Sequence, residues 1–164
     1  MCEQRLPKKI PKGNTVMRGT RSKTRLLLYG AYGYTGRLAA ELAAATKLDL
    51  ILAGRNKDAL TPLGDRLSLP SRAIGLEDIS RLSTALRDIA CVVHMAGPFA
   101  VTSVPMLNAC LATRTNYIDI TGEIEVFEAL WSRKEESRRM GITVIPPVLM
   151  WFQAIALRGT WPAK

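Results

Sequence analysis

The sequence predicts an α/β fold, a Rossmann-like doubly wound parallel sheet, and three observations carry that expectation. Five strand-like residues, Arg25 to Tyr29, run directly into Gly30-Ala31-Tyr32-Gly33-Tyr34-Thr35-Gly36; an Ala- and Leu-rich helix follows at once; and strand and helix then alternate as far as residue 146. A strand that ends in glycines and opens a helix leaves backbone N–H groups at the positive end of the helix dipole, where a pyrophosphate can sit. Gly30 suits the sharp exit from the strand, Gly33 the approach of phosphates to the backbone, and Gly36 close packing of the helix on the sheet. The first gap is one residue longer than in G-x-G-x-x-G, so the order of strand, glycines and helix weighs more than the spacing.

The elements follow in order. Tyr34 to Ala45 is expected as the first helix, with Leu38 and Leu42 on one face, and Asp49 to Ala53 as the second strand, ending at Gly54-Arg55-Asn56. Asn56 can cap a helix carrying Leu60, Leu63 and Leu67, with a break and restart expected at Thr61-Pro62. Ser71 to Gly75 reads as a short third strand and Ser80 to Leu86 as a helix. Cys91 to Met95 is an unbroken apolar-rich run bounded by Gly97-Pro98, as a central parallel strand should be. Val104, Leu107 and Leu111 mark the next helix, and Tyr117 to Ile120 the fifth strand. Thr121 is expected to cap a charged helix from about Glu123 to Met140, with Glu123 and Glu125 at its positive end. Ile142 to Ile145 is the sixth strand.

Composition bounds the function. The chain has 164 residues and a net charge of +9, and eight of its bases lie in residues 1–25 against the single Glu3. Residues 1–24, with Pro7, Pro11 and Gly13 and few apolar side chains, read as a basic disordered leader. No aromatic residue is interleaved there for base stacking, so no specific nucleic-acid partner is expected, and there is no apolar core for a signal peptide. Cys2, Cys91 and Cys110 are an odd number at no metal-like spacing and fit reduced thiols in a cytoplasmic protein; no metal site is expected.

Function is expected at the carboxyl ends of the strands. In this fold the residue after the second strand meets the adenosine ribose; an acid suits NAD and an arginine suits the extra phosphate of NADP. Ala53-Gly54-Arg55-Asn56 has no acid, so Arg55 is the candidate for the 2′-phosphate, and NADP is favoured over NAD. The bland alternative for Arg55 is a solvated charge near a helix start.

Four ordered motifs carry a family likeness: Leu28-Tyr29-Gly30-Ala31-Tyr32-Gly33-Tyr34-Thr35-Gly36-Arg37, Leu52-Ala53-Gly54-Arg55-Asn56, Ala96-Gly97-Pro98-Phe99 and Asn116-Tyr117-Ile118-Asp119-Ile120-Thr121-Gly122-Glu123. With them the chain resembles the saccharopine dehydrogenase-like oxidoreductases, including the mycobacterial trans-acting enoyl reductase type, over about residues 24–146. The resemblance implies an NAD(P)-binding domain at 25–146 in front of a substrate domain. It also implies that Gly30, Ala31, Gly33, Tyr34, Thr35 and Gly36 hold the pyrophosphate, and that Arg55 and Asn56 meet the adenosine phosphate. Asp78 would lie near the adenine, and Ala96, Gly97, Pro98 and Phe99 with Thr121-Gly122-Glu123 would border the nicotinamide. The chain departs from the family after the sixth strand: Pro146-Pro147-Val148-Leu149-Met150 stands where relatives turn into a second domain, so the fold is expected to be truncated before the substrate half. Residues 147–164 read as an atypical apolar tail, too short and too interrupted by prolines to span a bilayer, whose exposure would invite self-association. Thr113-Arg114 replaces a usual glycine, which questions only a helix C-cap.

No catalytic residue is assigned. None of the tyrosines has a lysine four residues on, which disfavours the Tyr-x-x-x-Lys proton donor of short-chain dehydrogenases. His94 reads as a hydrogen-bonded core histidine before an acid–base group, and Asp119 and Glu123 as hydrogen-bond acceptors as readily as acids. Three functions stay open: the cofactor domain of an oxidoreductase of unknown substrate, inactive alone; a stand-alone NADP-binding or sensing module; and a non-functional truncated product.

Overall fold

A computed structural model describes residues 23–146. The expected leader up to residue 22 and the expected tail 147–164 lie outside them. The elements are β1 (Arg25–Tyr29), α1 (Tyr34–Ala45), β2 (Leu50–Gly54), α2 (Lys57–Leu67), β3 (Ser71–Ala73), α3 (Ile79–Ala85), β4 (Ile89–His94), α4 (Phe99–Thr113), β5 (Asn116–Asp119), α5 (Ile124–Ser132), α6 (Lys134–Met140) and β6 (Val144–Ile145). All strand pairs are parallel, and the order is β3-β2-β1-β4-β5-β6. The chain steps outward from β1 to β3, returns across β1 to β4 and steps outward again. This leaves the switch point of a doubly wound sheet between β1 and β4.

Alternation along the strands feeds two cores. Leu27, Tyr29, Ile51, Ala53, Val92 and Tyr117 meet α3, α4 and α5 on one face. Leu28, Leu50 and Leu52 meet α1 and α2 on the other. All five residues of β2 are buried, as a strand covered on both faces requires. On the α1–α2 side the β4–β5–β6 half of the sheet is less covered: Cys91, Val93 and Ile118 are only partly buried, and Ile120, just past β5, and Ile145 are exposed.

Several expectations need correction. Leu38 and Leu42 are 54% and 67% exposed, and α1 turns Gly36, Ala40 and Ala43 to the sheet instead. Its close approach to β1 leaves room only for small side chains on that face. The break at Thr61-Pro62 does not occur; α2 runs through Pro62, whose exposed position lets the unpaired Asp58 carbonyl face solvent while Leu60 and Leu63 hold the helix down. The helix expected over 123–140 is two. Arg133 sits at φ −93°, ψ 10°, and its N–H donates to Leu130 O, a tightened turn. Its guanidinium reaches back to Asn108 Oδ1 of α4 (3.1 Å) and forward to Glu136, pinning the junction. The third and sixth strands are shorter than expected. The C-cap of α4, questioned because Thr113-Arg114 stands in place of a glycine, forms all the same, with Arg114 in the left-handed region (φ 53°). Lys23, placed by sequence in the leader, donates from Nζ to Thr113 O at 2.8 Å.

Among the described residues no helix is long and apolar enough to cross a membrane, and no group of three or more His, Cys, Asp or Glu side chains could hold a metal ion.

Candidate cofactor site

The glycine loop lies at the switch point. Gly30 has φ +87°, and a Cβ there would stand 2.8 Å from Ala96 N and Met95 C, so both turn geometry and the neighbouring loop demand glycine. A Cβ on Gly36 would collide with the Gly30 carbonyl oxygen and stand 2.9 Å from Ala31 Cα, so this glycine sets the approach of α1 to β1. Gly33 differs. It is exposed, has an ordinary φ of −68°, and a Cβ would meet only Gly30 O at 3.3 Å. The fold tolerates a small side chain there, and the space that Gly33 keeps clear lies outside the protein.

Gly33 is also the N-cap of α1, and no side chain caps it. The first amides of the next three helices are occupied. Asn56 Oδ1 accepts from Asp58 N (2.9 Å) and Ala59 N (3.2 Å) in α2. Asp78 Oδ1 accepts from Arg81 N (2.9 Å) in α3. Glu123 accepts from Phe99 N (3.0 Å) and Ala100 N (2.9 Å) in α4. The first turn of α1, Tyr34-Thr35-Gly36, therefore presents donors with neither an intrahelical nor a capping partner. Arg37 Nε donates to Tyr32 O at 3.1 Å and braces the loop behind them. Unpaired amides at the positive end of a helix suit an anion such as a pyrophosphate.

Arg55 follows the last residue of β2. It is exposed and makes no ion pair among the described residues. Asn56 beside it spends its carbonyl on α2, which leaves its Nδ2 donors uncommitted by that cap. Tyr32 packs so tightly on Gly54 that a Cβ would stand 2.5 Å from its ring, so the end of β2 beside Arg55 requires glycine. Tyr29 donates to Ile74 O (3.0 Å), and burial pushes its hydroxyl up to about 12, with Glu77 acting in the same direction and Arg55 opposing. Glu77 is thus a carboxylate on this side of the site that sequence reasoning passed over for its neighbour Asp78; the Gly75 turn before it was the available signal.

Ala96, Gly97, Pro98 and Phe99 link β4 to α4, and Gly30 touches this turn directly. Thr121, Gly122 and Glu123 link β5 to α5. Glu123 does not serve its own helix; its carboxylate clasps the first two amides of α4 and ties the two loops together. Nor does Thr121 occupy the N-cap, which is Glu123; the Thr121 hydroxyl accepts from Glu123 N at 3.2 Å. Asp119 is 2% exposed, accepts from Tyr117 Oη (2.7 Å) and Thr121 N (3.2 Å), and burial holds its carboxyl above the usual range. It is an internal acceptor, not a crevice acid. His94 is fully buried, with Nε2 3.0 Å from Thr102 Oγ1, and desolvation lowers it to about 4. Burial raises the thiols of Cys91 and Cys110, which favours their protonated form.

The structure thus gathers the glycine loop, Arg55, Asn56 and the 96–99 turn along the carboxyl ends of β1, β2 and β4, with Asp78 opening α3 beyond β3. Known proteins share this frame. An apo saccharopine dehydrogenase (L-Glu forming) from Saccharomyces cerevisiae superposes with a TM-score of 0.64 at 20% identity, covering 75% of this chain and 26% of that one. A Citrobacter triphenylmethane reductase complexed with NADP(H) gives 0.57 at 15% identity, over 74% of this chain and 48% of that one. At such identities the likeness is one of fold. In sequence, a trans-acting enoyl reductase of Mycobacterium leprae is 34% identical over 106 residues, covering 60% of this chain and 25% of the relative. A saccharopine dehydrogenase-like oxidoreductase of Bos taurus is 26% identical over 140 residues, covering 73% of this chain and 33% of the relative. The chain therefore spans a quarter to a third of these relatives. The family model of the saccharopine dehydrogenase NADP-binding domain matches residues 26–145, the whole of the sheet but its first residue, and by that match the chain belongs to the saccharopine dehydrogenase NADP-binding domain family.

Proposed function

We propose that this domain binds NADP(H) across the carboxyl ends of β1, β2 and β4 and serves as the cofactor half of a saccharopine dehydrogenase-like oxidoreductase. The observation that carries the reading is the first turn of α1, backed by Gly30 and Gly36 and left without the capping side chain that α2, α3 and α4 each receive. The amides of Tyr34, Thr35 and Gly36, with the cleared space at Gly33, take the pyrophosphate; Ala31, which the family resemblance groups with them, is fully buried and its N–H already donates to Ala53 O at 3.2 Å, so it shapes the loop instead of binding the phosphates. Arg55 and the Asn56 amide take the 2′-phosphate, and Asp78 lies on the adenine side. Ala96, Gly97, Pro98 and Phe99 border the nicotinamide. When bound, the cofactor gives or takes up a hydride, and the protein supplies orientation.

The same domain binds without turning over. Of the titratable groups nearest the nicotinamide end, His94 and Asp119 are buried, as is Tyr117, and Glu123 is committed to α4. None is an open proton donor, and catalysis needs a substrate held against the nicotinamide by groups beyond this domain. Titration of the purified chain with NADPH, followed by a panel of carbonyl, imine and enoyl compounds, tests both parts. Saturable binding with no protein-dependent oxidation is expected. Steady oxidation of NADPH overturns the inactivity, and absence of binding overturns the function.

A further inference from the structure

His94 and Thr102 form a brace that nothing in the cofactor chemistry calls for. The Thr102 hydroxyl stands 2.6 Å from Ala96 O, 3.1 Å from Pro98 O and 3.0 Å from His94 Nε2. A hydroxyl has one proton to give, and the short contact assigns it to Ala96 O. Its oxygen then accepts from His94, so Nε2 carries the imidazole proton. His94 Nδ1 is buried with no partner, which suits a bare nitrogen far better than an N–H. A neutral ring fits the surroundings: Phe99 of the same turn meets it edge-on at 5.4 Å, and the rings of Tyr29 and Tyr117 lie at 5.5 and 6.0 Å. Asp119, on the neighbouring strand beside His94, is already bonded to Tyr117 and Thr121.

We propose that His94 and Thr102 are positioning residues for the nicotinamide: buried, neutral His94 aims the Thr102 hydroxyl, which holds the Ala96 carbonyl inward and so sets the 96–99 turn against the nicotinamide ring. This rests on the NADP reading above. It separates the two halves of the cofactor, because the brace lies under β4 while the phosphates and adenosine are held from β1, β2 and α1.

The test compares NADPH with 2′-phospho-ADP-ribose, which lacks the nicotinamide, as ligands of the purified chain. Thr102→Val, which keeps the shape and removes the hydroxyl, should weaken NADPH about tenfold and leave 2′-phospho-ADP-ribose within about twofold. Thr102→Ser should restore the wild-type ratio. His94→Phe, which keeps a ring and removes the donor, should show the same selective loss and serves if Thr102→Val does not fold by circular dichroism. Equal losses for both ligands, or unchanged NADPH affinity in the folded variants, overturn the positioning role alone. Failure of the wild type to bind either ligand overturns the NADP reading, and this role with it.

Discussion

On the proposed reading Arg55 sets which dinucleotide the domain prefers, and its substitution is the sharpest mutational test of the site. The guanidinium stands at the end of β2 with no ion pair among the described residues, so no internal carboxylate must be displaced when a 2′-phosphate arrives. A charge-assisted hydrogen bond contributes about 1.5–3 kcal/mol, roughly 10-fold to 150-fold in affinity. Arg55 is exposed, so solvent and salt screen it, and the lower end, roughly tenfold, is the expectation. Arg55→Ala should weaken NADPH by about that factor and leave NADH nearly unchanged. Arg55→Asp should go further, repelling the phosphate while offering an acceptor to the ribose hydroxyls, and tip the preference toward NADH. The assay is the ratio of NADPH to NADH dissociation constants for wild type and both variants at one salt concentration, repeated at a higher one. The wild-type ratio should shrink with salt while that of Arg55→Ala stays flat. Equal losses for the two cofactors would assign Arg55 to the fold or the pyrophosphate and refute the reasoning.

Further outcomes follow from the same geometry. Gly36→Ala should cost about 1–3 kcal/mol of stability in denaturant melts, because its Cβ meets backbone that cannot move aside, whereas Gly33→Val should abolish NADPH binding while circular dichroism stays near wild type; a matched loss of stability in both would contradict the distinction. Glu123→Gln should cost about 1 kcal/mol by weakening the clasp on the α4 amides, measured as a lowered denaturation midpoint, and an unchanged midpoint would show the clasp to be idle. His94 sits at about 4 when folded against an ordinary 6.5, so the unfolded chain binds more protons between those values and stability falls as the pH drops through that window, by about 3 kcal/mol at its lower end. Asp119, raised by burial, acts in the opposite sense above its ordinary 3.8, so the measurement is the difference between wild type and His94→Gln in denaturant melts from pH 7 to 4. The variant should lose less stability on acidification, and parallel profiles would contradict the assignment.

Sequence and structure agree where the information is local. The strand–glycine–helix order, the apolar run of β4 and the Asn56 cap each reside in a few neighbouring residues, and the six-strand parallel sheet follows from their succession. The misses arise where distant parts meet. Periodicity groups Leu38 with Leu42 but does not say which face is buried; Gly36 and the alanines settle that by admitting β1 at close range. Glu123 and α4 are 24 residues apart in sequence, so the carboxylate that looked suited to its own helix was claimed by another. The break at Arg133 depends on Asn108 across the helix interface, and the place of Glu77 beside Tyr29 on where two separate strands end. His94 was legible as a core histidine, but not as one tethered through Thr102 to the turn above it.

The open first turn of α1 and the exposed Arg55 are together proposed to make an NADP site. Isothermal titration of the purified chain with NADPH and, in parallel, NADH tests it most directly. One NADPH per chain, bound more tightly than NADH, is the predicted result. A heat trace without saturable binding, or tighter binding of NADH, would contradict it.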